Sequence, residues 1–154
     1  TKAAPAPNRG GFHLPLDNRC LHISFESMTA RSRYVEVILL VFGFYSVGLG
    51  LFMIVAPGAF FDSLGAFGVR NDHYIFDNAS FELPLGLLLL AALRWPSWRV
   101  PALAFATAHW ALHALSHLVD TGHRDGATVG WLEFAGLVIA TAWLAGALWV
   151  VTRR

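Results

Sequence analysis

Four stretches of the chain are apolar and nearly free of charge: about Tyr34 to Ala56, Phe76 to Leu93, Val100 to Val119 and Thr128 to Val151. Roughly 18 to 20 apolar residues span the hydrocarbon of a bilayer as a helix, since each residue adds about 1.5 Å. In lipid the backbone must satisfy its own polar groups, and blocks without alternation do that as helices. The expected fold is therefore all-α, a four-transmembrane-helix bundle with nearly all its mass in the bilayer. Composition agrees. Charged residues make up 14% of the chain and hydrophobic ones 56%, against about 25% charged in an ordinary soluble domain.

Residues 28–154 form the expected transmembrane domain. Residues 1–27 hold Pro5, Pro7, Pro15, Gly10 and Gly11 and show no periodicity. They lack the apolar centre and small-residue cleavage site of a signal peptide and are expected to be an irregular, disordered tail. Met28-Thr-Ala-Arg-Ser-Arg resembles a natural start, which would make that tail a non-native extension. The net charge of +1 and the absence of a basic run give no sign of nucleic-acid binding. Cys20 is the only cysteine, which excludes an internal disulfide and a Cys-x-x-Cys relay.

Between the first two spans, Phe60, Phe61, Leu64 and Phe67 alternate with Asp62, Arg70 and Asp72, the pattern of a short helix on the membrane surface or of a loop with apolar contacts. Pro57-Gly58 ends the first span. Asp77 or Asn78 can cap the second, and Pro84 frees the Ser80 carbonyl and is expected to bend the helix beside Glu82. Trp95 and Trp98 suit the headgroup level. Arg31, Arg33, Arg94, Arg99, Arg153 and Arg154 fall on one side of the bundle, with Arg70 and Arg124 on the other. By the positive-inside rule both termini are expected to be cytoplasmic, in a multi-pass protein of the bacterial inner membrane.

The third span carries His109, His113 and His117 at four-residue spacing, one stripe along a helix. Ionisable groups in a span need partners or a purpose. Counted inward at about 1.5 Å per residue, Glu82 lies about 9 Å deep, His117 about 4.5 Å, His113 about 10 Å, Glu133 about 7 Å and His109 about 16 Å. Glu82, His113, His117 and Glu133 are thus expected in one layer and are the candidate ligands of a divalent metal: zinc, iron or manganese. His109, level with Tyr45 and Ser46, is with Tyr45 the candidate contact for a redox cofactor. The competing reading is structural: neutral histidines bonded to facing carboxylates would only hold the helices in register, as in a non-catalytic accessory subunit of a membrane complex. Proton or solute passage is a third. Membrane lipid is the expected surrounding, with a second copy or a complex partner as the candidate protein contact. The residues assign no reaction.

Short spans, a Gly-rich first helix with Gly48-Leu-Gly50 ending at Pro57-Gly58, and Asp77-Asn78 opening the second span resemble the DoxX-like group of small bacterial membrane proteins. The resemblance covers roughly Tyr34 to Val151 and implies a four-helix membrane fold. Some members of the group are linked to quinone-dependent redox reactions. The histidine stripe is not part of the resemblance.

Overall fold

The computed structural model describes residues 18–65, 68–120 and 127–153. These residues contain five α-helices and no strand: α1 (Asn18–Val55), α2 (Pro57–Ser63), α3 (Asp72–Arg94), α4 (Arg99–Asp120) and α5 (Ala127–Thr152). A single 3-10 turn, Pro96–Trp98, joins α3 to α4. The loop holding His123, Arg124 and Asp125 lies outside the described residues, as do residues 1–17 of the expected tail.

α1 is helical from Asn18 onward, so its first turns fall within the stretch 1–27. The chain has no proline or glycine between Pro15 and Gly43, so nothing in that stretch interrupts the backbone ladder. Proline then divides α1 from α2: Pro57 sits at the first position of α2, where its missing N–H costs nothing. The short helix expected between the first two spans is this seven-residue α2. Phe60 and Phe61 pack on a small cluster of Met53, Ile75 and Ala79.

α3 begins earlier than the apolar pattern indicates. Its N-cap is Asn71, whose side chain accepts from the Tyr74 N–H at 3.3 Å, in place of the expected Asp77 or Asn78. The helix runs unbroken through Pro84 and ends at Arg94. Trp95, which precedes a proline, is held extended at φ −117° and ψ 95°.

α1, α3, α4 and α5 share one core. Val35, Ile38, Leu39 and Phe42 of α1 meet Leu85, Leu89 and Ala92 of α3, Ala102, Leu103, Ala106 and Trp110 of α4, and Leu144 and Ala147 of α5. The spacing on each helix is the three- and four-residue rhythm of one buried face. Packing around the ring is uneven: α1 lies along α3 and α4 along α5, while α3 meets α4 and α1 meets α5 over short stretches. Glycine permits the α1–α3 approach. A Cβ on Gly86 would stand 2.6 Å from the Val47 nitrogen and 2.7 Å from the Gly43 oxygen.

Among the described residues, three helical segments are long and apolar enough to cross a membrane: Ala30–Val55, Asp72–Arg94 and Gly130–Thr152. This is the pattern of a multi-pass membrane protein. α4, at 22 residues, is of similar length to the second and third, but its three histidines lower its apolarity and it is not among them.

Candidate functional site

The site is built from α3, α4 and α5 on the α2 side of the core. His109 Nε2 and Glu82 Oε1 are hydrogen-bonded at 2.8 Å, linking α4 to α3. Four residues on, the His113 ring stacks over His109 with centroids 6.1 Å apart, and His117 meets His113 edge-on at 4.9 Å. His117 Nδ1 then lies 3.6 Å from Glu133 Oε2 of α5, an ion-pair separation. The result is a row, Glu82–His109–His113–His117–Glu133, rather than a ring of donors around one point.

The expected layer of Glu82 with His113 is therefore replaced by a bond from Glu82 to His109. The reason is the N-terminus of α3. Starting at Asp72 instead of Phe76 adds about 6 Å of helix above Glu82, bringing it to about 15 Å, level with His109. The approach of His117 to Glu133 agrees with the depths read from the sequence. Among the described residues, no group of three or more His, Cys, Asp or Glu is arranged to hold a metal ion.

Tyr45 of α1 packs on Trp110 at 5.5 Å, and Phe42 meets the same indole edge-on at 5.1 Å. Tyr45 is within electrostatic reach of Glu82, so α1 contributes to the inner end of the row. Three buried polar atoms in this part of the bundle find no hydrogen-bond partner among the described residues: Ser46 Oγ, Trp110 Nε1 and Glu82 Oε2. A buried polar group left in that state costs about 1–3 kcal/mol. Nothing in the residue pattern marks the Trp110 indole nitrogen as one of these atoms.

Beyond Glu82, toward the chain ends, the interior is apolar. Leu85, Leu89, Ala102, Leu103 and Ala106 are each no more than 2% exposed. Past that plug, Arg99 Nη2 reaches Glu36 Oε1 at 3.5 Å, and Arg99 Nε donates to the Ala92 carbonyl at 3.3 Å. This ties the first turns of α4 to α1 and to the end of α3. At the opposite end His73 and Asp77 stand 3.6 Å apart, both exposed. There Arg70 donates to both Asp72 oxygens, at 2.6 and 2.9 Å, and that hydrogen bonding raises the already high pKa of Arg70. An open depression of about 510 Å³ lined by Val69, Arg70, Asn71 and Asp72 lies in this loop and includes no member of the row.

Comparison with protein-family models, with curated proteins and with solved structures finds no match.

Proposed function

We propose that the chain is a four-span protein of the bacterial inner membrane, with α4 as the fourth span and both termini cytoplasmic. In this reading the polar row of its outer half binds a redox cofactor against His109 and Tyr45. The observation that carries the reading is the state of Glu82. One oxygen is bonded to His109 at 2.8 Å and the other is buried with no hydrogen-bond partner among the described residues. A buried acceptor of that kind, near the unpartnered Trp110 indole and the rings of Phe42 and Tyr45, suits a planar group with polar edges. The layout resemblance to the DoxX-like group, with its quinone-linked members, supports the same reading.

An absorbance spectrum of detergent-purified protein, with elemental analysis for zinc, iron and manganese, is the test. A chromophore that co-purifies and is lost in His109→Ala and Glu82→Gln is expected. A colourless wild-type protein overturns the cofactor reading, and stoichiometric metal in its place returns the site to the ion expected from the residue types.

A structural reading is favoured by a different observation. Each carboxylate–histidine pair joins two helices, Glu82–His109 across α3 and α4 and His117–Glu133 across α4 and α5. On that reading the chain is an accessory subunit, and the same variants lose stability with no ligand to lose.

A further inference from the structure

The two ends of the bundle carry charge in opposite fashion. Near the start of α3, Arg70 donates to both oxygens of Asp72, and Asp62 and Asp77 add two exposed carboxylates. The arginine of that end is neutralised. At the other end α1 enters the bundle, α3 turns into α4 and α5 finishes, with Arg99 of α4 and Glu36 of α1 paired at 3.5 Å. Arg31, Arg33, Arg94 and Arg153 are exposed there. Among the described residues, none of these four has a carboxylate within ion-pair distance. Glu36, the carboxylate described in these turns, is already engaged by Arg99 and by the Ser32 hydroxyl, the latter at 3.2 Å.

The apolar segments fix the level at which these arginines stand. Arg31 and Arg33 lie in the first turn of Ala30–Val55, Arg94 is the last residue of Asp72–Arg94, and Arg153 directly follows Gly130–Thr152. Each is placed where hydrocarbon gives way to headgroups. Half-exposed tryptophans mark the same boundary. Trp95 and Trp98 have ring centroids 5.4 Å apart, and the Arg153 guanidinium lies 4.6 Å over the Trp149 ring.

We propose that this end of the bundle is a collar that binds anionic phospholipid headgroups, with Arg31, Arg33, Arg94 and Arg153 facing the phosphates. The inference rests on the chain spanning a membrane and not on the cofactor reading. It holds on whichever side of the membrane this end lies. Unpaired cations at the headgroup layer attract anionic lipid. A zwitterionic headgroup brings its own ammonium to the same place, and repulsion from the arginines offsets the attraction of its phosphate. An acidic protein or a nucleic acid would also answer to positive charge. The lipid is favoured because the four arginines sit on three different helices, each at the edge of an apolar segment, with indole rings beside them.

The test uses the full chain reconstituted in phosphatidylcholine bilayers with a trace of spin-labelled phosphatidylglycerol or spin-labelled phosphatidylcholine. The fraction of each label whose motion the protein restricts gives its relative affinity. Wild type is expected to prefer phosphatidylglycerol by about fivefold at low salt, the scale of one basic residue beside an anionic surface. In 1 M salt, which screens charge within about 3 Å, the preference is expected to shrink. Changing Arg31, Arg33, Arg94 and Arg153 together to glutamine is expected to bring it near unity, and changing all four to lysine to keep most of it. Arg70→Gln with Asp72→Asn, at the opposite end, is expected to leave it unchanged. A preference that survives in the glutamine variant, or is lost in the lysine variant, would overturn the proposal. So would a wild type with no preference, which would leave the collar to an acidic protein or a nucleic acid.

Discussion

Glu82 of α3 and His109 of α4 are hydrogen-bonded at 2.8 Å at the inner end of the polar row, where the interior turns wholly apolar. The bond links the α1–α3 and α4–α5 halves of the bundle. His109→Ala strands the Glu82 carboxyl and is expected to lower unfolding stability by about 1–3 kcal/mol. Replacing both residues with leucine is expected to recover most of the loss, since a buried polar pair is often matched by an apolar one. Denaturant unfolding in detergent reads both. A His109→Ala protein as stable as wild type would show that the bond contributes nothing to folding.

Gly86 and Gly48 make a contrasting pair. A Cβ on Gly86 meets the backbone of α1 at 2.6 and 2.7 Å, while one on Gly48 meets nothing within 4 Å. Gly86→Ala must push α1 and α3 apart and is expected to destabilise by about 1–3 kcal/mol, as overpacking does. Gly48→Ala is expected to be neutral or to stabilise by up to about 1 kcal/mol through helix propensity. Equal effects at the two positions would refute the close approach of α1 and α3.

Sidedness is tested with single cysteines in a chain whose Cys20 has been replaced by serine. Val69, 93% exposed in the loop before α3, and Ser97, in the turn before α4, lie at opposite ends of the bundle. An impermeant thiol reagent applied from the periplasm is expected to label a cysteine at Val69 and not one at Ser97. The reverse pattern inverts the orientation, and labelling at both places the two loops on the same side of the membrane.

The helices are legible in the sequence because block length and the absence of interior charge leave the backbone one way to satisfy itself. The partner of Glu82 is not. Asn71, Asp72, Asp77 and Asn78 are all capping residues, and the apolar run settles only around Ile75 and Phe76. Which of them caps α3 depends on which backbone N–H its side chain reaches, and Asn71 reaches Tyr74. Four residues of difference amount to about 6 Å of depth, which moves Glu82 from His113 to His109. The histidine stripe and the proximity of His117 to Glu133 survive this shift because neither depends on where α3 starts. The unpartnered Ser46 hydroxyl and Trp110 indole belong to tertiary packing, which residue type and spacing do not encode.

The uneven packing of the ring also bears on how the protein is made. α1 and α3, which lie along each other, are complete when the ribosome has reached Arg94, and α4 and α5 follow as a second hairpin. The first hairpin can therefore close on its glycines while the second is still being synthesised. During that interval Glu82 sits in the first hairpin without its imidazole. Only when the second hairpin packs on the first does His109 come beside Glu82.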